Sequence, residues 1–345
     1  MNGKLVCLLA LSALLLAEAK PKPADKKVLE YTAAGPFFTI PIEVGSQRTK
    51  LSLGIDGYYG AAIVYSDKAG ASAGGFDRTK SSSWVVADPD REFDFSLGTG
   101  EGPSGNDYLR VGELPALTSA MFGNPDSVSW NALSKLPQAS GFLAMWAPQE
   151  KDEDKTEMQF VVESADQPII TFHAPADPHG GHSVTIGTED ASNCRSDWIS
   201  LSNVASLDAD QRPWTVEMNG FSWGSYKKNT KQTVAFNVAA DYFVAPKTHA
   251  NYIYNQLGAT YSSRYEGGLV DCSKRNTAPA LVFSAGGQQL SVSAQSYIKQ
   301  FDSTTCLLNI YPDDLNWWTL PYQFHQQRCV KYDYGAKTVN IADER

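Results

Sequence analysis

KLSLGIDGYYGAAIVYS, residues 50–66, decides how this chain reads. Leu51, Leu53 and Ile55 alternate with polar or small residues, the period-two pattern of a strand with one buried face. The run ends on a single acid, Asp56, followed by Gly57, Tyr58, Tyr59 and Gly60. The stretch therefore delivers a carboxylate to the end of a strand and surrounds it with glycine and bulky rings.

Outward from this stretch the same texture continues. FFTIPIEV (37–44), EFDFSL (92–97), PIITFH (168–173) and HSVTIG (182–187) are short apolar alternations separated by Gly, Pro, Asp, Asn and Ser clusters. That spacing predicts a mostly β protein. Helical periodicity is scarce; short helices are expected near APKTHANYIYNQL (245–257) and VSAQSYIKQF (292–301). APQEKDEDKTE (147–157) reads as a charged surface loop or short helix. The two halves echo each other. LSLGID resembles TVAFN (233–237), and GFLAMWAP (141–148) has a counterpart in WTLPYQF (318–324), features about 180 residues apart. A duplicated, two-lobed architecture with a cleft between the lobes is the expectation.

With 345 residues, 42% hydrophobic and 19% charged, the chain has ample material for a large core. A formal net charge of −9 disfavours nucleic acid and anionic membrane surfaces as partners. The N-terminus has a basic Lys4, an apolar run from Val6 to Ala17 too short to span a bilayer, and Ala17-Glu18-Ala19 in small-x-small form. We read 1–19 as a signal peptide, 20–30 as a short basic leader, 31–196 as an N-terminal lobe and 197–345 as a C-terminal lobe. The expected location is secreted or lysosomal, without a membrane anchor. Four cysteines remain after cleavage, Cys194, Cys272, Cys306 and Cys329, an even number that suggests two disulfides with three possible pairings. His173, His179 and His182 near Asp177 fit a hairpin tip better than a metal site. Nothing implies a cofactor, and a monomer is expected.

Taken in order, these segments resemble the pepsin-like aspartic proteases (peptidase A1), particularly the nematode type, with degenerate catalytic motifs. Residues 50–66 match the family's strand-Asp-Thr-Gly-Ser-strand element, with Asp56 on the first catalytic aspartate. GGFDRTKSSSW (74–84) and FDFSLGTGEGPSG (93–105) resemble the lead into the flap hairpin and the flap itself. GFLAMWAP, GFSWGSYK (220–227), APKT (245–248) and WTLPYQFHQQRCVKYDYGAKTVNIA (318–342) match further family segments. The resemblance implies an all-β, bilobal fold with a central cleft and few short helices. It also implies the pairings Cys272–Cys306 and Cys194–Cys329.

In such a protease two aspartates share one proton, one acting as base on a water and the other as acid on the carbonyl; pepsin is the type case of this dyad. Each sits in an Asp-Thr/Ser-Gly loop. Here the first loop reads Asp56-Gly57-Tyr58, so the hydroxyl is lost at 57. Tyr58 stands where glycine is needed, and a bulky residue at positive φ costs on the order of 1 kcal/mol. Anchoring on Ala245-Pro246 places Asn237 on the second aspartate, and an amide cannot take up a proton near neutral or acid pH. The flap tyrosine and its tryptophan partner become Leu97 and Ile63, an apolar wall. Tyr58, Tyr59, Ile63, Leu97 and Asp241 are expected to line the cleft. The resemblance thus implies an aspartic endopeptidase relative without proteolysis, binding a peptide, protein or small ligand in or around its cleft. The alternative is an active endopeptidase with an atypical site using Asp56 and Asp241.

Overall fold

A computed structural model describes residues 28–33, 37–175, 181–204, 212–262 and 267–345. The segment expected to be a signal peptide, most of the expected leader, Asp177 and His179 lie outside the described residues. The fold is all-β and bilobal, with few and short helices.

Each half builds the same four-strand unit. Thr49–Asp56 runs parallel to Gly141–Ala144, with Asp56 opposite Ala144. Gly141–Ala144 is antiparallel to Ile63–Val64, which is parallel to Leu117–Gly123. In the second half Gln232–Phe236 runs parallel to Trp317–Leu320. Trp317–Leu320 is antiparallel to Phe243–Pro246, which is parallel to Ile310–Asp313. The weak echo between the halves is therefore a repeat in space. The arrangement has a topological consequence. Gly141–Ala144 lies between the strand ending at Asp56 and the one starting at Ile63, so residues 57–62 must arch over its end. An arch without ladder partners turns its N–H groups to the nearest acceptor. The period-two alternation of the sequence is not kept in the burial of Thr49–Asp56, which ends in four consecutive buried residues, because that end is covered on both faces.

A six-stranded sheet joins the halves, in the order Leu29–Ala33, His182–Ile186, Ile169–Ala174, Arg328–Asp333, Thr338–Asp343, Ile199–Ser202. Ile169–Ala174 and Arg328–Asp333 meet antiparallel, with Phe172 opposite Val330. Beneath them Phe172 packs edge-on against Phe38 (ring centroids 4.7 Å) and Tyr332 (5.6 Å). Because the first strand starts at Leu29, two residues assigned to the leader, Leu29 and Glu30, belong to this sheet. The described ends of the histidine-rich hairpin pair as strands, with His173 opposite Ser183. His173 contacts Glu344 (3.2 Å) and His182 packs on Phe38.

Disulfides link Cys194 to Cys329 and Cys272 to Cys306. The second closes a loop with a sequence separation of 34, which the chain-entropy account values at about 3–4 kcal/mol. Lys247–Leu257 is a helix ended by Gly258, whose φ of 65° supplies the left-handed turn that stops it. The helix expected over 292–301 shrinks to Ala294–Tyr297. β-branched Ile298 leaves it to pair with Leu308 in a strand, so tertiary pairing overrides local propensity. No described helix is long and apolar enough to cross a membrane.

Candidate active-site cleft

Asp56 and Asn237 occupy equivalent strand ends of the two halves and face one another across a single atom. The Ser96 hydroxyl donates to Asp56 Oδ1 at 2.7 Å and accepts from Asn237 Nδ2 at 2.9 Å. Asn237 Oδ1 accepts the Ala239 N–H at 3.1 Å, which fixes which way the amide points. The hydrogen-bond chain therefore runs in one direction, amide to hydroxyl to carboxylate. Asp56 takes three further donors: the N–H of Tyr58 (2.9 Å) and Tyr59 (3.2 Å) on Oδ1, and the Ser96 N–H (2.7 Å) on Oδ2. Four donors and no acceptor suit an ionised carboxylate. Burial pulls the other way. Asp56 is 1% exposed, and loss of solvent pushes its carboxyl above the ordinary carboxylate range against the hydrogen bonds of Ser96, Tyr58 and Tyr59.

Ser96 reaches this position because of the flap. Val85–Phe95 and Gly98–Val111 form a long hairpin in which Phe95 pairs with Gly98, leaving Ser96 and Leu97 as the turn. The turn is tied down from the side. Asn131 Nδ2 donates to the Leu97 carbonyl (3.0 Å), and Ser129 exchanges hydrogen bonds with Thr99 at 2.9 and 3.1 Å. Ser127 and Val128 pair with Glu101 and Gly100. Phe93, Phe95 and Leu97 are all buried beneath the hairpin. The flap tip is thus docked on the cleft floor, with its serine between the two dyad positions.

Gly57 packs against the opposite loop. A Cβ there would lie 2.9 Å from the Phe236 carbonyl oxygen and 3.2 Å from Asn237 Cα. Losing the side chain at 57 lets the two loops close onto each other. Tyr58 corrects the expectation of strain. The described non-glycine residues at positive φ are Arg48, Gln327 and Lys337, so Tyr58 carries no left-handed penalty. Its N–H turns inward to the Asp56 carboxylate, a turn compatible with ordinary backbone angles. Trp146 Nε1 donates to the Tyr58 carbonyl at 2.9 Å and supports the arch from outside.

The remaining residues separate into two groups. Tyr58 and Tyr59, rings edge-on at 5.5 Å, line a cavity of about 200 Å³ with Ser96, Asn237, Tyr242 and Thr319. Ile63 and Leu97, expected to line the cleft as an apolar wall, lie beneath the flap instead. Both are fully buried in a packed cluster with Tyr65, Phe95 and Phe142, because the docked flap covers them and apolar side chains gain from leaving water. Asp241 also departs from the expected cleft lining. Its carboxylate turns to Lys135 (3.2 Å) and Lys299 (3.6 Å), where two cations offset the charge. The sequence reading missed Ser96, Trp146 and Tyr242. A serine at a two-residue hairpin turn was the one visible sign, and nothing local marks such a residue as reaching a site 40 positions away.

Two β lobes that each hand one polar residue from a strand end to a shared floor, under a hairpin, define a pepsin-type architecture. The family model described as eukaryotic aspartyl protease matches residues 37–344, and the chain belongs to that family. Aspartic protease 17 of Caenorhabditis elegans is 26% identical over 281 residues, covering 78% of this chain and 70% of that protein. Aspartic protease 1 of the same organism is 27% identical over 285 residues, covering 77% and 69%. Probable vacuolar protease A of Trichophyton verrucosum (strain HKI 0517) is 24% identical over 187 residues, covering 51% and 44%.

Proposed function

We propose that this family member is a pseudo-protease that binds a peptide, protein or small ligand in or around its cleft without cleaving it. One observation carries the reading: the Ser96 hydroxyl stands between Asp56 and Asn237, hydrogen-bonded to both. Peptide hydrolysis at a dyad needs a water and a shared proton between two carboxylates. Here one partner is an amide, the intervening position is held by a side chain, and the carboxylate is buried. Asp241 does not supply the missing acid, since its carboxylate is engaged with Lys135 and Lys299. The aromatic cavity beside Asn237, about 200 Å³, remains as a place for one ligand side chain or a small molecule. Two disulfides suit a secreted or lysosomal location.

The test is incubation of the purified protein with denatured haemoglobin and an unbiased peptide library between about pH 3 and 6, where a shared-proton dyad carries its single proton. No cleavage is expected. Pepstatin-sensitive cleavage that Asp56→Ala abolishes would overturn the reading in favour of an atypical endopeptidase.

A further inference from the structure

A further cavity, lined mainly by residues of 291–299 and 322–328, is rich in cations. It measures about 410 Å³, and its lining includes Arg275, Lys299 and Arg328 together with Ser291, Ser293, Ser296 and several glutamines. No carboxylate is among its described lining residues, although the chain carries a net charge of −9. Lys299 has Asp241 as a partner and Arg328 feels Asp343, but no acid faces the cavity itself, so like charges on its wall favour an anion inside it.

Arg328 is the most telling member. Its guanidinium lies over the Phe324 ring at 4.5 Å, and its Nη2 donates to the Ser291 carbonyl at 2.5 Å. Its Nη1 is buried and has no hydrogen-bond partner among the described residues. Burial brings this guanidinium down to about 10, against the pull of Asp343, so it stays charged at neutral pH while short of compensation. An arginine held flat by an aromatic ring in the wall of such a cavity presents a planar guanidinium to an oxyanion in a fixed direction. Gln323, in the same wall, is fixed by its Nε2 donating to the Asp241 carbonyl at 2.8 Å. Arg275 is oriented from the other side by its Nε donating to the Ile298 carbonyl at 3.2 Å. Lys299, half-exposed at the rim, has Asp241 as its partner at a loose 3.6 Å.

We propose that this cavity binds a small organic anion carrying two negative charges, a phosphate monoester or a pair of carboxylates, with Arg328 and Arg275 as its main anchors. Two arginines, with Lys299 already paired to Asp241 at the rim, match two negative charges, and the hydroxyls and amides of the wall supply hydrogen bonds to the ligand's polar remainder. The volume suits a ligand of metabolite size.

The experiment measures thermal unfolding and calorimetric binding of the full protein at about pH 7.5, where a phosphate monoester is a dianion. Glycerol 2-phosphate and succinate are the two probes, each matched against sodium chloride of equal ionic strength. At least one probe is expected to raise the melting temperature by a few degrees beyond the chloride control through preferential binding to the folded state. Whichever binds tighter identifies the phosphate or the carboxylate source. Arg328→Gln and Arg275→Gln are each expected to weaken that binding about tenfold or more, the size of a lost charge-assisted contact. Lys80→Gln, on the surface beside Asp77, is expected to leave it unchanged. Arg275 lies in the short Lys274–Thr277 helix outside the buried core, so it carries the test if Arg328→Gln impairs folding. Stabilisation no greater than that by chloride, or binding untouched by Arg275→Gln, overturns the proposal.

Discussion

Restoring the missing aspartate tests whether positions 56 and 237 face each other. In Asn237→Asp a carboxylate replaces the amide that donates to Ser96 Oγ at 2.9 Å, while Ser96 donates onward to Asp56 at 2.7 Å. One hydroxyl carries one proton and cannot donate to both acids. The two carboxylates, bridged by one oxygen, sit roughly 5 Å apart, and at an effective dielectric constant of about 20 their repulsion is about 3 kcal/mol. The fold relieves this by retaining a proton, so the pair's apparent affinity for it rises above that of a free aspartate. A carboxyl whose folded value is raised keeps its proton after the unfolded chain has lost it. Stability is therefore full below about pH 4, the ordinary aspartate value, and falls as the pH climbs from there toward neutral. Urea unfolding of the wild type and Asn237→Asp at pH 4 and pH 7 reads the difference. The variant is expected to match the wild type within about 1 kcal/mol at pH 4 and to lose about 3 kcal/mol relative to it at pH 7. Proteolysis is expected to stay absent, because Ser96 still occupies the space between the acids. Equal loss at both pH values, or none at either, would refute the arrangement in which residue 237 addresses Asp56 through Ser96.

Ser96→Ala removes a hydrogen bond to a buried carboxylate and orphans the Asn237 amide, so a loss of about 2–4 kcal/mol in chemical denaturation is expected. Gly57→Thr restores the family's hydroxyl but drives a Cβ against the Phe236 carbonyl at 2.9 Å; a loss of about 1–3 kcal/mol is expected, and a gain in melting temperature would show that the loops can part. Asp241→Asn breaks the pairing with Lys135 and Lys299, whose side chains are 35% and 54% exposed, so the expected cost is only about 1 kcal/mol. Peptide-library assays of that variant should match the wild type, and a change in cleavage would reinstate Asp241 as a working acid.

Much of the fold was legible because its signals are short-range. The alternation in 50–56 and 233–236 declares strands, and the order of similar segments in the two halves carries the repeat that sets Asp56 and Asn237 on equivalent strand ends. The short helix expected near 292–301 is present as Ala294–Tyr297 and ends where β-branched Ile298 meets a competing strand partner. Tyr58 was misjudged because the family's glycine position was carried over with its backbone angle, whereas the arch turns its N–H groups to Asp56 instead.

By itself the sequence determined the β texture, the duplication, the loss of a second acid at Asn237 and the four cysteines. It did not determine what fills the gap between the dyad positions or where Asp241 points. Periodicity and turn chemistry act over a few residues. The Ser96 hydroxyl reaches Asp56 only because a long hairpin docks on residues 127–131, and Asp241 meets Lys135 from 106 positions earlier. Arg275, Lys299 and Arg328 likewise come from three separate segments and become neighbours in one wall. Such encounters depend on packing among elements distant in the chain, where local patterns carry no information about distance or direction.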